Sequence, residues 1–256
     1  MRYINFCSNS GAVQTALDEQ ELGKPYVVYL EDEKRLDWNS KNVTPPLSAQ
    51  PLTIEIISGG TIMWKKEDNM IFPVASRTIE YSVNDGPWSS ITSTIEGVSF
   101  PVQDGDIVRF RGNTARYSSS LAAAGNLLLV NGIFKLYGNI CSLMTDDYVF
   151  VDPGQLTVAR MFSNNTGLTE ITEIAFGNNM YTNGDAYCFA YMFQGCTNLN
   201  YVKCLLSPPY NGVTNFFRDW LNNTASEGTF VKKENSDWSN NTGVIPAGWT
   251  IIDAEI

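Results

Sequence analysis

Acidic side chains form three short clusters that could supply a pair of catalytic carboxylates. Glycoside hydrolysis needs only two carboxylic acids held a fixed distance apart. Each cluster, however, lies beside glycine, proline or other turn-forming sequence, where carboxylates are usually solvated. We therefore expect turn carboxylates, with adventitious Ca²⁺ binding at the third cluster and catalysis as the alternatives. The clusters are Glu31-Asp32-Glu33, Asp104 with Asp106, and Asp146-Asp147 with Asp152.

Histidine does not occur in the sequence. The chain therefore lacks the commonest general base, the Ser-His-Asp and Cys-His arrangements, and every metal site that depends on imidazole. Dinucleotide-binding, P-loop and EF-hand motifs are also missing from the sequence. We predict that the protein is not an enzyme, uses no cofactor and has no dedicated metal site.

The five cysteines are odd in number and include no Cys-x-x-Cys pair. This pattern disfavours a disulfide scaffold, a zinc knuckle and a redox motif. A free buried cysteine usually behaves as a small apolar packing residue, and that is the role we expect. A bridge or a thiolate metal site stays open as the alternative. The residues are Cys7, Cys141, Cys188, Cys196 and Cys204.

Acidic residues outnumber basic ones by 27 to 17, which gives a net charge of −10. A chain of this charge is repelled by phosphate backbones and anionic membranes, so nucleic acid is not an expected partner. No apolar run approaches the roughly 20 residues of a membrane span, and we predict no membrane insertion. The residues after Met1 contain no signal-like apolar segment, so we expect an unexported chain.

Basic and aromatic residues could contact anions or sugar rings. Four basic residues concentrate in the middle of the chain, where a solvated strand face is expected and an anion or glycan contact is the alternative: Arg109, Arg111, Arg116 and Lys135. Five later tyrosines are candidate surface-ligand contacts because aromatic faces stack on sugars, although half or more should serve packing. They are Tyr181, Tyr187, Tyr191, Tyr201 and Tyr210.

Residues 1–46 should form an attachment and oligomerisation segment. Residues 12–17 could begin a short helix or turn, and two β-branched and aromatic runs flank the acidic turn at 31–33, which predicts a hairpin. A two-stranded hairpin is marginal alone, so a partner surface or further copies should bury its side chains. Prolines at 45, 46 and 51 predict an extended linker over 42–51. The attachment residues are Tyr26, Val28, Leu30, Leu36 and Trp38.

Apolar residues alternate with polar ones from about residue 52 to 143. Ile54 and Ile56 alternate with Thr53 and Glu55, and tight-turn sequences follow at 84–86 and 104–106. Short alternating strands separated by such turns predict a small antiparallel β-sandwich, which we assign to residues 47–144.

An internal repeat with an offset of 31 residues (192 − 161 = 31) follows the alternating region. In each copy the Met-Phe pair fits the end of a short helix, the following segment turns the chain, and the Leu-x-x-Ile/Val step enters a strand. Stacking of the copies buries apolar edges that one copy cannot bury alone. We assign residues 145–206 to this unit and 207–256 to a C-terminal cap rich in aromatics. The repeated positions are Met161, Phe162, Leu168 and Ile171, matched by Met192, Phe193, Leu199 and Val202.

The repeat and its flanks resemble the BspA-like leucine-rich-repeat proteins of Bacteroides and of the phages that infect them. The resemblance covers roughly residues 52 to 254. It rests on the Met-Phe-x5-Leu-x2-Ile/Val pattern, a segment that closely matches a Tyr-Ser-x-Asp-x-Gly-x-Trp type strand, and several flanking segments. These segments are 81–88, 109–113, 138–144, 228–232 and 245–250, with Trp238.

This resemblance implies a mainly β protein with an N-terminal attachment hairpin, an antiparallel sandwich and a short leucine-rich-repeat-type solenoid with a C-terminal cap. Residues 1–46, through the segments 22–26 and 37–39, resemble the amino-terminal attachment units of Bacteroides-phage virion proteins. The expectation is therefore a non-enzymatic virion protein, a head or tail fibre or a capsid decoration, on the virion surface. Its partners would be capsid, portal or tail proteins and a host surface glycan or protein, and a homotrimer is implied. The alternative is a bacterial cell-surface adhesin or glycan-binding module.

Overall fold

The computed structural model describes residues 3–7, 26–30, 35–37, 46–67, 75–114, 117–118, 127–148, 158–176, 187–206, 216–238 and 244–255. The chain divides into two compact units, Met1–Pro46 and Leu47–Ile256. The further divisions that the sequence predicts at residues 144 and 206 stay predictions.

The first unit contains a three-stranded sheet. Strands β1 (Tyr3–Cys7), β2 (Tyr26–Leu30) and β3 (Arg35–Asp37) are hydrogen-bonded in the order β1-β2-β3. The pairing of β2 with β3 is antiparallel, which is the predicted hairpin, whereas β1 pairs with β2 in parallel and was not predicted. Trp38, the acidic cluster at 31–33 and the predicted helix or turn at 12–17 lie outside the described residues.

The second unit contains one open, mixed sheet of ten strands. The strands are β4 (Leu52–Trp64), β5 (Thr78–Val83), β6 (Ser89–Thr92), β7 (Val98–Val102), β8 (Ile107–Gly112), β9 (Leu128–Asn139), β10 (Leu168–Ala175), β11 (Tyr201–Cys204), β12 (Gly228–Lys232) and β13 (Trp249–Asp253). The strand order is β13-β12-β11-β10-β9-β4-β8-β5-β6. Strand β7 lies outside this linear order and pairs with β4.

The predicted linker at 42–51 is wrong in its second half. Leu47–Ala49 form a turn of 3-10 helix, and the Asn139 N–H donates to the Gln50 carbonyl at 2.9 Å. Pro51 then forms a bridge with Asn139 just before β4 begins. These residues belong to the second unit because their carbonyls pair with the end of β9; residues 42–45 lie outside the described part of the chain.

The antiparallel strands follow the predicted alternation. Leu52, Ile54 and Ile56 on β4 are buried, as are Val108 and Phe110 on β8. Alternation of this kind places every second side chain on one face of a strand. It therefore fixes which face of the sheet is apolar.

The turn between β5 and β6 also has the predicted character. Asn84 and Asp85 have φ of 52° and 57°, and the Gly86 N–H donates to the Val83 carbonyl at 2.9 Å. Two successive residues with positive φ are the signature of a type I′ turn, which asparagine, aspartate and glycine favour.

Strand β9 joins the antiparallel and parallel parts of the sheet. It pairs antiparallel with β4 and in parallel with β10, and β10 to β13 continue in parallel. At the bend of β4 the strands approach so closely that a Cβ on Gly60 would lie 1.6 Å from the Asn131 carbonyl oxygen. A separate two-sheet sandwich and a separate leucine-rich solenoid are not confirmed, because β9 belongs to both regions of one sheet.

The segments that precede the parallel strands are turns and not the predicted ends of short helices, and they stack through a backbone ladder. Alternate N–H groups from Val158 to Asn164 donate to carbonyls from Cys188 to Gln194 at 2.7–3.0 Å. In the same way, N–H groups from Phe189 to Gly195 donate to carbonyls from Phe216 to Asn222 at 2.8–3.1 Å. Three successive turns, at 158–167, 188–198 and 216–226, are therefore in register. We call them turns 1, 2 and 3.

Turn 3 is a repeat copy that the sequence interpretation had placed in the C-terminal cap. Each turn contains two residues with positive φ, four positions apart, and the pairs are offset by 31 (191 − 160) and then 28 (219 − 191). The third copy belongs with the other two because its backbone follows the same path and pairs with theirs. The residues are Arg160 and Asn164, Tyr191 and Gly195, and Asp219 and Asn223.

The eight repeated residues predicted from the sequence are fully buried, each with 0% exposure. They pack with aromatic side chains of the region assigned to the cap. Phe162 stacks on Phe193 with ring centroids 5.6 Å apart, and Phe193 lies 5.4 Å from Trp220. Apolar side chains of the three successive turns therefore contribute to one continuous core, as expected when each unit contacts only its neighbours.

Candidate functional site

The positive-φ positions of the three turns place side chains next to one another on the protein surface. The first such position is Arg160 in turn 1, Tyr191 in turn 2 and Asp219 in turn 3. Each of the three is partly exposed. Bulky residues rarely adopt positive φ, so the repeated turn geometry determines where these side chains lie.

Arg160, Tyr187, Tyr191, Gln194 and Arg218 form a cluster that we call the Arg–Tyr ladder. The Arg160 guanidinium lies over the Tyr191 ring, 4.6 Å from its centroid, and Arg160 Nη1 donates to Gln194 Oε1 at 3.3 Å. A guanidinium over an aromatic face gains about 0.5–1 kcal/mol at an exposed site. The Arg–Tyr ladder therefore connects side chains of neighbouring turns whose backbones are already joined by hydrogen bonds.

Arg218 completes the ladder from turn 3. Its charge lies close to Tyr191, and it makes a side-chain hydrogen bond with Tyr187; both contacts raise the pKa of Arg218 above its usual value. Arg218 also lies 3.5 Å from the Asp219 carboxylate, and its side chain is 48% exposed. The ladder thus holds two guanidinium groups beside two phenol rings at the surface.

Tyr201 lies elsewhere, on the polar face of the parallel strands. It pairs with Glu170 of β10 and Thr229 of β12, and its neighbour Val202 points into the core. On this face Lys135 and Glu170 form an ion pair at 2.8 Å, and Lys203 and Glu173 form one at 2.7 Å. Hydrogen bonding and charge from Glu170 raise the pKa of Lys135.

The structure therefore separates the three candidate tyrosines that it describes. Tyr187 and Tyr191 meet in the Arg–Tyr ladder, whereas Tyr201 lies on the strand face. Tyr181 and Tyr210 lie outside the described residues. Whether any of them contacts a ligand stays a prediction.

The basic residues of the antiparallel part form ion pairs with neighbouring strands or turns. Arg109 pairs with Asp85, and Arg111 pairs with Glu80 at 2.7 Å and lies 4.3 Å above the Trp88 ring. With Lys135 paired to Glu170, three of the four candidates face a carboxylate, which favours the solvated strand face. Arg116 lies outside the described residues.

The described acidic clusters contain turn carboxylates that accept hydrogen bonds. Asp104 Oδ1 accepts from the Gly59 N–H at 2.6 Å, and Asp106 Oδ2 accepts from the Gln103 N–H at 2.7 Å. Asp146 and Asp147 are exposed in the turn that follows the 3-10 helix Ile140–Leu143. Asp152 lies outside the described residues, and among those described no group of three or more His, Cys, Asp or Glu is placed to hold a metal ion.

Four of the five cysteines are described, and all four are free and buried. Burial raises the pKa of Cys141, Cys196 and Cys204 to about 12. A thiol with such a pKa remains protonated at neutral pH, and the thiolate is the form that reacts and binds metals. These three cysteines therefore act as packing residues. The structure does not describe the side chain of Cys7.

Arg160 and Arg218 were not singled out from the sequence. A usable signal was present for Arg160, because it lies 31 residues before Tyr191, which is the offset of the predicted repeat. Extending the repeat alignment outward from the Met-Phe pair would have placed these two residues side by side. Arg218 gave no such signal because turn 3 follows at a different offset.

Comparisons with family models, with curated proteins and with solved structures gave no match to this chain. Within the described residues, no helix is long and apolar enough to span a membrane.

Proposed function

We propose that the protein is a non-enzymatic structural protein of a phage virion, a fibre or a capsid decoration, that binds the host cell surface. Residues 1–46 attach it to capsid, portal or tail proteins. The stacked turns, as a short solenoid of leucine-rich-repeat type, present the surface that contacts a host glycan or protein. The antiparallel strands, which correspond to the proposed sandwich, lie between these two regions in the sequence.

The Arg–Tyr ladder is the observation that carries this proposal. Repetition of one turn geometry places Arg160 and Tyr191 at the same position of successive turns, and Arg218 precedes the corresponding residue Asp219 and lies close to Tyr191. Exposed aromatic and guanidinium groups are enriched where proteins bind partners, because they combine apolar area with fixed hydrogen-bond donors. A surface built this way suits recognition of a polar, repetitive ligand.

The division of the chain supports a separate attachment segment. The first unit ends at Pro46, and its described part is a three-stranded sheet of short strands. So small a sheet gains stability by packing against another surface. In a virion that surface would be a particle protein or further copies of the same segment.

Particle composition tests the proposal. Phage particles purified by density gradient should contain the intact chain in a fixed ratio to the major capsid protein, measured by quantitative mass spectrometry. Particles assembled with residues 1–46 deleted should lack it. Absence of the intact chain from purified particles, with recovery in a bacterial outer-membrane fraction, would contradict the virion assignment and support a bacterial adhesin.

A further inference from the structure

We propose that the outer edge of β13 pairs in antiparallel orientation with β13 of a second copy of this chain, across a two-fold axis at Ile251. The inference goes beyond the proposed function, because it assigns a contact between copies to the far end of the parallel strands. It concerns the strand at one edge of the sheet: among the described residues, β13 pairs with β12 alone.

The apolar row of the parallel strands continues onto β13 but is uncovered there. Ile171 pairs with Val202, and Val202 pairs with Phe230. Phe230 in turn pairs with Ile251. The first three residues of the row are fully buried, whereas Ile251 is 49% exposed. In a stack of repeats each unit covers the apolar edge of the previous one, so one more strand beside β13 would complete the row.

Main-chain groups of β13 point toward this open edge. The Ala254 N–H donates to the Lys232 carbonyl of β12 at 2.8 Å. Successive residues of a strand direct their N–H and C=O groups to opposite edges, so those of Ile251 and Asp253 point away from β12. The edge therefore offers donors and acceptors at every second residue, which is the spacing that an antiparallel partner strand needs.

Strand β13 lacks the features by which proteins usually prevent pairing at the edge of a sheet. Such edges commonly carry lysine, proline or a bulge. Residues 249–253 include neither lysine nor proline, and their pairing with β12 has no register shift. Ile252, whose side chain lies on the opposite face from that of Ile251, is 45% exposed. An added strand would therefore cover apolar side chains on both faces.

The charge pattern of the edge favours a second copy in antiparallel orientation. Asp253 is the charged residue of β13, and its side chain is 52% exposed. Parallel pairing in register would set the two Asp253 carboxylates side by side, which is unfavourable. Antiparallel pairing about Ile251 places Asp253 of each copy opposite Trp249 of the other, and Thr250 opposite Ile252. A two-fold axis also closes the contact at two copies.

The contact is small, so its strength depends on the local concentration of the chain. One strand of five residues covers far less than the roughly 800 Å² per partner that a stable dimer buries. Separate molecules should therefore pair only at high concentration. Copies gathered through the first unit, or on one particle, would meet at a much higher effective concentration.

The mass of the full-length protein at increasing concentration tests the inference. Light scattering from about 1 μM to about 1 mM should show a mass that rises toward twice its low-concentration value. Over the same range, hydrogen exchange measured by mass spectrometry should slow in peptides that contain β13. A constant mass and unchanged exchange at the highest concentration would overturn the inference. Growth beyond a doubling would overturn the two-fold arrangement.

The variant I251K/I252K tests the edge itself, and I57K/I133K is its matched control. Both variants replace two isoleucines and change the net charge from −10 to −8. Ile57 and Ile133 are 45% and 47% exposed, but they lie on β4 and β9, which pair on both edges. The edge variant should weaken pairing by at least about tenfold, because like charges then face each other, and the control should stay within about twofold of the wild type. Equal weakening in both variants, or unchanged pairing by the edge variant, contradicts the inference.

Folding and the identity of the occupant are controlled separately. If I251K/I252K melts well below the wild type, I251T/I252T replaces it, because threonine keeps the β-branched shape and removes apolar area. Slower exchange of β13 on purified particles alone would identify a virion protein as the occupant and overturn pairing between copies. The proposed function stands after either result, because these experiments measure neither virion incorporation nor binding to the host surface.

Discussion

One position in the stacked turns shows how different side chains perform the same structural task. Asn165 in turn 1 donates from Nδ2 to the Phe162 carbonyl at 2.9 Å, and Thr224 in turn 3 donates from Oγ1 to the Leu221 carbonyl at 2.9 Å. In turn 2 the Cys196 thiol donates to the same Phe162 carbonyl at 3.2 Å. Each side chain donates to a main-chain carbonyl: Asn165 and Thr224 do so within their own turns, whereas Cys196 links turn 2 to turn 1.

Asn165 makes the larger contribution because it also joins turn 1 to β9. Its Oδ1 accepts from the Val130 N–H at 2.7 Å, and its Nδ2 donates to the Leu128 carbonyl at 2.8 Å. Asn165→Ala should lower the free energy of unfolding by about 2–4 kcal/mol, since it leaves buried main-chain groups without a hydrogen-bond partner. Urea denaturation measures the change. Asn198→Ala is the control: its hydrogen bond to the Thr166 carbonyl is exposed, and a decrease equal to that of Asn165→Ala would contradict the argument.

The buried thiols predict a loss of stability at alkaline pH. Burial raises the pKa of Cys141, Cys196 and Cys204 from 9.0 to about 12, so the folded state keeps protons that the unfolded state releases. Their contribution to the free energy of unfolding is complete below pH 9 and falls as the pH rises toward 12. Each thiol should therefore lower the free energy of unfolding at pH 10.5 by about 2 kcal/mol relative to pH 8. Urea denaturation of the wild type and of Cys204→Ala at both pH values checks this; an identical pH dependence in the two proteins would contradict it.

At this scale the sequence predicted burial better than it predicted surface contacts. The Met-Phe, Leu and Ile/Val positions are apolar and periodic, and all eight are buried. The ladder escaped prediction because Arg160 and Arg218 are polar residues in turns, where composition alone is compatible with simple solvation. Only the stacking of turns brings them together with Tyr191.

At the scale of elements, the register between neighbouring turns and strands determines what is buried. Ile171 pairs with Val202 and Val202 with Phe230, so one apolar row crosses β10, β11 and β12. Leu168 and Leu199, at 0% exposure, lie at or just before the start of their strands. Each additional copy extends the row and covers the apolar edge of the previous copy.

Leu199→Asp should unfold the stacked turns, since it places an unpaired charge in a packed core. Leu168→Asp should act in the same way, and a destabilisation of more than about 4 kcal/mol is expected for either change. Thermal melting followed by circular dichroism measures it. Asn200→Asp is the control for Leu199→Asp, because Asn200 is adjacent and exposed. A Leu199→Asp protein that melts with the wild type would mean that the apolar row is wrongly assigned.

The third copy could not be predicted because its sequence departs from the repeat at several positions. Trp220-Leu221 takes the place of Met-Phe, the offset is 28 instead of 31, and Glu227 occupies the leucine position. Phe230 alone preserves the apolar character of the strand position. Backbone hydrogen bonds and positive φ values are repeated even where side chains are not, and these cannot be seen in the sequence.

At the scale of the whole molecule, the chain divides into two compact units, for which we propose separate roles. Residues 47–51 belong to the second unit, so a truncated chain that begins at Leu47 keeps the pairing of Gln50 with Asn139. The mainly β character and the antiparallel alternation followed from the sequence. The sequence did not predict that all these strands form one sheet. That arrangement depends on the pairing of β9 along both of its edges, and the periodicity of a sequence does not reveal which strands pair.

We expect the intact chain to form a homo-oligomer, a trimer by the resemblance to phage fibres, whose assembly depends on the first unit. Small sheets need a covering surface, and clustering of weak sites raises their joint affinity. Light scattering should give an oligomeric mass for the intact chain and a monomeric mass for residues 47–256. Monomers in both cases at micromolar concentration would refute the prediction, and an oligomer that survives truncation would place the interface in the second unit.

We propose that this protein binds a host surface polysaccharide without cleaving it. Incubation of the protein with purified host capsular polysaccharide tests this proposal when both the bound fraction and the size distribution of the polymer are measured. We expect saturable binding and a size distribution identical to that of untreated polymer after prolonged incubation. Release of oligosaccharides that is abolished by changing one Asp or Glu would contradict it.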